Sequence, residues 1–221
     1  PNVVAIGVGD FDEDGFKDLA VVTNQDSNVN ILINDHNGSF NAGTILSVGT
    51  SPTSISVTDF NGDNHSDIII ANSDDNTVTT IAGLGTGLFS TNTIYSSVAN
   101  PSFLITADID GDSRKDIITV GTGNREIQVL PGISGGLFGL NFSTALTPLM
   151  SAVLKINSDS YLDIAVLSAA TKTINLFTNN GKGIMTLSSS LTSPDASTQL
   201  AAIDLRNNGK KDLIVNLPNQ S

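Results

Sequence analysis

The 221-residue chain has no cysteine and no tryptophan, and it contains two tyrosines, two histidines and two methionines. Lacking cysteine, it has no disulfide framework, thiol nucleophile or thiolate metal site, although this does not identify the compartment. Scarce histidine also disfavours zinc and copper, which prefer nitrogen and sulfur ligands. No apolar run approaches the ~20 residues needed to span a bilayer, so membrane insertion is not expected, and no signal-peptide pattern is visible. Basic residues are few, 10 against 22 acidic ones, and a net charge of −12 opposes nucleic acid and anionic membranes. No nucleophile elbow or phosphate-binding loop occurs, and Gly-rich pieces such as GLGTG recur as turns. His36 and His65 fall in turns and are not expected to act as general bases. An enzyme is therefore not expected. The hydrophobic content of 39% suffices for a core and argues against disorder.

Against these absences stands one nine-residue acidic pattern that recurs five times. It reads DFDEDGFKD from Asp10, DFNGDNHSD from Asp59, DIDGDSRKD from Asp108, KINSDSYLD from Lys155 and DLRNNGKKD from Asp204. Successive starts lie 49, 49, 47 and 49 residues apart, the mark of a repeat architecture. Fifteen of the 22 acidic residues occupy alternate positions of these loops, so the acidity belongs to local sites.

β-rich runs flank each loop. VVAIGVGDF, TSISVTDF, SFLITADI, SAVLKI and QLAAIDL precede it, and DLAVVTN, DIIIANS, DIITVGT, DIAVLSA and DLIVNLP follow. Short, β-branched segments bounded by Asn, Gly, Ser and Asp read as strands. The second group is apolar on both faces, as expected of strands buried between layers. A third strand (NVNILIND, TVTTIAGL, EIQVLPG, TINLFTN), a second repeated turn and a more polar fourth strand complete the unit. That turn carries Phe40, Phe89, Phe138 and Met185 at the same spacing, each expected to anchor packing between repeats. Four antiparallel strands per ~49 residues predict an all-β, β-propeller-like array of about four and a half blades. The 221 residues form a single repeat domain, with blades at 1–50, 51–99, 100–147 and 148–196 and an incomplete one at 197–221. The chain opens directly on a strand, as expected for a piece of a longer protein, and its terminal strand edges are expected to pair with other chains.

In D-x-D-x-D, alternate side chains converge while position 7 supplies a main-chain carbonyl and position 9 a last carboxylate, an all-oxygen set suited to Ca²⁺. An EF-hand would need Glu at position 12, where the first loop has Val21 inside a strand. The first site comprises Asp10, Asp12, Asp14, the Phe16 carbonyl and Asp18. The second comprises Asp59, Asn61, Asp63, the His65 carbonyl and Asp67. The third comprises Asp108, Asp110, Asp112, the Arg114 carbonyl and Asp116. The loops from Lys155 and Asp204 are expected to be empty. The Lys155 ammonium is expected among Asn157, Asp159 and Asp163, and Arg206 is expected as an internal counter-ion.

Loop motif, flanking strands, G-x-F turn and period together resemble the calcium-binding FG-GAP/VCBS repeats of integrin alpha-chain propellers. The literal Phe-Gly and Gly-Ala-Pro signatures are poorly kept, which places the similarity nearer the VCBS-like group. The resemblance implies a propeller with calcium loops on one rim and an extracellular or cell-surface adhesive or structural role. Sequons at Asn37, Asn64, Asn141 and Asn219 suit a secreted glycoprotein. The expected function is a calcium-stabilised adhesion or structural-assembly module, part of a larger protein or filament, whose partners are protein chains or copies of itself. The alternative is a glycan-binding lectin, or a non-catalytic domain of a secreted polysaccharide-active enzyme. With no tryptophan and only Tyr95 and Tyr161 as tyrosines, the chain has few aromatic faces on which to stack a sugar.

Overall fold

The computed structural model describes residues 2–123, 126–133, 137–138, 142–145, 148–168, 171–193 and 197–216. The first sheet consists of β1 (Val3–Gly9), β2 (Asp18–Thr23), β3 (Asn28–Asn34) and β4 (Phe40–Ser47). The second follows with β5 (Pro52–Thr58), β6 (Asp67–Asn72), β7 (Thr77–Ile81) and β8 (Thr93–Ser96). The third has β9 (Pro101–Ala107), β10 (Asp116–Gly121) and β11 (Glu126–Leu130). A small hairpin of β12 (Gly132–Ile133) and β13 (Leu137–Phe138) comes next, and β14 (Phe142–Ala145) pairs with β11. The fourth has β15 (Pro148–Leu154), β16 (Asp163–Ser168), β17 (Thr173–Asn179) and β18 (Met185–Thr192). A hairpin of β19 (Leu200–Ile203) and β20 (Asp212–Val215) ends the array. All of these pairings are antiparallel. This is the all-β, propeller-like array of four-stranded blades that the repeat pattern implies.

The first strands lie side by side along the array, β1 beside β5, β5 beside β9, β9 beside β15 and β15 beside β19. Each blade therefore presents its first strand inward and its fourth outward. Close approach at this inner edge uses small residues: a side chain added at Gly7 would meet Val57 at 2.6 Å. A β-bulge recurs at Val4, Thr53, Ser102 and Leu149, again in step with the repeat, and bulges increase strand twist.

The core lies between the blades. Second strands are apolar on both faces because alternate residues serve different layers. In β6, Ile68 and Ile70 join Ala20, Val22, Val29 and Ile31 of the first blade. Its Ile69 and Ala71 join Leu104, Ile117 and Leu130 of the third. Ile164 and Val166 of β16 pack on Ile118, Val120 and Val129, while Ala165 and Leu167 pack towards Leu200, Leu213 and Val215.

The turn anchors behave according to whether a preceding blade is present. Phe89 packs in the first layer with its ring edge-on to Phe11 at 5.5 Å, and Met185 is buried against the third blade. Phe40 departs from the expectation and is 41% exposed. Its counterparts pack back onto the preceding blade, and β1–β4 form the first sheet of the array. The Phe138 side chain lies outside the described residues.

Because cohesion resides in the layers, the effect of truncation should depend on the layer and not on the strand alone. Ile69→Ala, which opens a cavity between the second and third blades, is expected to cost about 2–5 kcal/mol. Ile94→Ala, at an exposed position of β8, should stay within about 0.5 kcal/mol. Urea denaturation of both variants measures the difference.

Candidate metal centres on the loop rim

Each acidic loop joins the first and second strands of its blade, so all five lie at equivalent edges of successive sheets. In loops one, two, three and five the backbone enters the left-handed region at positions 4 and 6. These are Glu13 and Gly15, Gly62 and Asn64, Gly111 and Ser113, and Asn207 and Gly209. These turns bring alternate side chains to a common side. In the fourth loop neither Ser158 nor Ser160 has a positive φ.

The last aspartate of each loop holds the blade together. Asp18 is fully buried. Its Oδ2 accepts the Phe11 N–H at 2.8 Å, and its Oδ1 accepts the Asn34 N–H, at the end of β3, at 2.9 Å. Asp67 accepts from Phe60 and Gly83, Asp116 from Ile109 and Gly132, and Asp163 from Ile156 and Asn179. One carboxylate thus ties the loop's second residue to the exit of the third strand in four blades.

That exit position takes either of two residue types. A Cβ at Gly83 or Gly132 would collide with the carbonyl oxygen of Ser66 or Lys115. Asn34 and Asn179 instead donate their side-chain amides to the equivalent carbonyls of Lys17 and Leu162, at 3.0 and 3.1 Å. These four residues keep the 49-, 49- and 47-residue spacing, a column visible in the sequence whose meaning comes from the bonds it makes.

Three loops gather carboxylate oxygens within 4.8 Å of one another: Asp10, Asp12 and Asp18; Asp59, Asp63 and Asp67; Asp108, Asp110 and Asp116. Position 5 is used differently. In the first loop Asp14 bonds His36 Nε2, and in the third Asp112 bonds the Arg114 guanidinium, so both face basic partners instead of joining these clusters. In the second loop Asn61 donates to Asp63 at 2.9 Å. The backbone N–H groups of Phe16, His65 and Arg114 each donate back to position 5, forming the turn that would aim their carbonyls.

The side chain at position 7 lies over the second turn of its own blade. Phe16 stacks on His36 at 4.1 Å, His65 sits against Gly85, and Tyr161 sits against Gly181. His65 also bonds Glu13 of the preceding loop, a contact that raises its pKa and links neighbouring loops. Both histidines therefore make specific contacts within the loop rim.

The electrostatics suit a cation. Burial is the leading cause that raises Asp67 and Asp116 to about 6, with nearby loop carboxylates adding to it. Burial likewise raises Asp12 and Asp110. Asp10 Oδ1 is buried with no hydrogen-bond partner, and an unsatisfied buried acceptor is costly. Clustered, partly dehydrated carboxylates with an orphaned oxygen fit a hard divalent cation.

The other two loops differ. Lys155 does not occupy the position expected from its sequence. Its side chain is exposed, with no ion pair among the described residues, and it lines an open cavity. A long ammonium side chain keeps its head in water instead of being desolvated among amides. Asn157 donates to Asp159 at 2.6 Å instead. In the fifth loop Arg206 binds Asp212 through two nitrogens, at 2.5 and 3.3 Å, as an internal counter-ion.

The fourth loop isolates the structural role of the final aspartate. Asp163→Ala would strand the N–H groups of Ile156 and Asn179, a loss on the order of 3 kcal/mol. That loss should be the same in EDTA and in excess divalent cation. Asp159→Ala, at an exposed turn, should cost within about 1 kcal/mol. Chemical denaturation under both conditions checks this.

The sequence matches the FG-GAP-like repeat family over residues 10–70, 59–119 and 155–215. Among curated proteins, no sequence matches significantly. The crystal structure of BBS1N in complex with ARL6DN, soaked with lead, is similar with a TM-score of 0.70 and 16% identity, covering 97% of this chain and 63% of that one. A lectin from Agrocybe aegerita, solved for its specific recognition of non-reducing terminal N-acetylglucosamine, gives 0.65 at 16% identity, covering 93% and 59%. The Photorhabdus luminescens Tc holotoxin pore gives 0.54 at 14% identity, covering 98% and 11%. This chain thus spans less than two thirds of each of those chains, and at these identities the likeness concerns the fold. Each family match begins on the first residue of an acidic loop and ends in the second strand of the next blade. Together the matches cover most of the chain, which belongs to the FG-GAP-like repeat family.

Proposed function

We propose that this chain is a calcium-stabilised extracellular module for adhesion or structural assembly, and that it is non-catalytic. The observation that carries the reading is the set of three carboxylate clusters at equivalent positions of successive blades, one containing a buried oxygen without a hydrogen-bond partner. All-oxygen ligation favours Ca²⁺ over softer metals. Extracellular calcium modules work at 10⁻⁴–10⁻³ M affinities, which exposed rim loops of this charge can supply. The metal's role here is cohesion: it neutralises clustered carboxylates whose final member also holds the blade.

A glycan-binding reading has its own observation. A cavity of about 730 Å³ opens between the fourth and fifth loops, lined by Lys155, Ser158, Asp159, Lys210 and Lys211 over an apolar floor. One of the similar folds is a lectin. NMR titration with N-acetylglucosamine and acidic monosaccharides tests it, and shifts confined to these residues would favour it over the assembly role.

Calcium-titration calorimetry is expected to find three sites, lost one at a time in Asp12→Ala, Asp63→Ala and Asp110→Ala. Chelation should lower Tm without unfolding the chain, because the interblade layers are apolar in their own right. Each occupied site adds roughly 2.7 kcal/mol at a hundredfold excess over Kd. A Tm indifferent to EDTA in a preloaded sample would overturn the proposal.

The pH dependence has a defined sign. Asp67 and Asp116 sit at about 6 when folded, above their usual value of 3.8. Between about pH 4 and 6 the folded chain therefore binds more protons than the unfolded one, and through these groups the chelated protein loses stability as pH rises. Calcium needs both groups ionised, so the Tm increment from calcium should widen from pH 5 to pH 7. Paired melts with calcium and with EDTA at each pH measure this.

A further inference from the structure

The third loop carries one more carboxylate than the second, yet both gather the same number around a common point. The second brings together Asp59, Asp63 and Asp67, with Asn61 at position 3. The third brings together Asp108, Asp110 and Asp116 and leaves Asp112 outside. The side chain two residues on holds Asp112 there. Asp112 Oδ2 accepts from the Arg114 guanidinium, and its Oδ1 accepts the Arg114 N–H at 2.8 Å. The guanidinium is fixed from a second side, because its Nε donates to the Gly132 carbonyl at 3.1 Å. The Gly132 N–H in turn donates to Asp116 at 2.7 Å. Arg114 therefore links the fifth position of the loop to the strand exit that the final aspartate holds.

This contact is particular to the third loop. At the same position Phe16 stacks on His36, and His65 bonds Glu13 of the preceding loop. Neither returns a permanent positive charge to its own loop. The charge of Arg114 also reaches the cluster: burial raises Asp110, Asp112 and Asp108 add to the rise, and Arg114 opposes it. The fifth loop goes further. It has no acidic residue at positions 3 and 5, and Arg206 bonds its final carboxylate through two nitrogens.

We propose that Arg114 competes with the cation in the third loop, weakening calcium binding there while holding the loop together when calcium is absent. The inference rests on the calcium reading of the rim and adds what sets the third site apart. A cation that recruits Asp112 must share or displace its guanidinium. One that does not recruit it binds with a ligand fewer, beside a fixed positive charge. Either way the affinity falls. A contact that favours the cation-free loop lowers affinity by the factor with which it favours that form. Carboxylate count alone would rank the third site above the second, and the guanidinium cancels that advantage. Position 7 offers a cation only its main-chain carbonyl, so replacing the Arg114 side chain leaves the set of candidate ligands intact.

Calorimetric calcium titration of the Asp12→Ala/Asp63→Ala chain, which keeps the third site alone, provides the test. Adding Arg114→Gln should tighten that site about two- to fivefold, the range of an exposed ion pair. In EDTA the same substitution should lower Tm by about 1–3 °C, so affinity and cation-free stability move in opposite directions. A side chain that only supported the fold would lower both. NMR titration of the chain with all three loops intact, followed at the Gly62 and Gly111 amides, should show the third loop filling no earlier than the second. Arg114→Gln should move the third loop ahead. In an Asp112→Asn background the gain in affinity from Arg114→Gln should fall below about 1.5-fold, because the contested carboxylate is gone. A folded Arg114→Gln chain whose third loop binds calcium no more tightly than before would overturn the inference and leave the calcium reading intact. An undiminished gain in the Asp112→Asn background would overturn it as well. Calcium absent from all three loops would overturn the calcium reading and this inference with it.

Discussion

The aspartate at the end of each loop is the constraint on which the rest of the structure depends. Its two oxygens have separate duties, one to the loop's second residue and one to the exit of the third strand. Placing a carboxylate there fixes the start of the second strand relative to both neighbours. It also puts the residue after it, Leu19, Ile68, Ile117 or Ile164, into a defined face of the sheet. Burying that carboxylate is costly, and burial is the main reason Asp67 and Asp116 are raised to about 6. Two backbone donors offset part of the cost, and a cation shared with the other loop carboxylates would offset more. Blade geometry and the acidity of the rim therefore have one origin.

Placing the core between blades instead of within them has a second consequence. A single sheet buries neither of its faces alone, so each blade depends on its neighbours, as in other linear repeats. Second strands then need apolar residues at nearly every position, and among the described residues the first and last sheets each have a neighbouring sheet on one side. The exposure of Ile6, Val8, Phe40, Ile203 and Leu205 follows from that rule. The same residues shifted by one repeat are ordinary core.

Much of this was legible in the sequence because the repeat makes comparisons internal. Strand order, the buried second strands, the acidic clusters and the Arg206 counter-ion all follow from aligning five copies. What stayed hidden depends on partners outside the aligned motif. Phe40 shares its register with Phe89, but whether an anchor is buried depends on the preceding blade. Asp14 and Asp112 look equivalent to Asp63, yet His36 and Arg114 reach them from different places, one from the second turn and one from two residues on. Lys155 departs from its expected place because charge alone does not decide between a buried ammonium and a solvated one. The Asn or Gly that receives the final aspartate was visible as a spaced column, but it has no meaning until the bond it makes is known.

The fifth loop shows the same constraint under different conditions. Among the described residues its blade is a hairpin, and Asp212 accepts the Leu205 N–H as Asp18 accepts that of Phe11. Arg206 adds two donors and a permanent positive charge on the same carboxylate. An acidic loop holding a cation and a loop holding an arginine would be two answers to one electrostatic problem, and they would respond differently to surroundings. Such a cation would be lost to chelators or protons, whereas the guanidinium is covalently part of the chain and charged at all relevant pH. Along this array the acidic end would stiffen with ion concentration, while the Arg206 end would keep its loop under any ionic condition that leaves the hairpin folded.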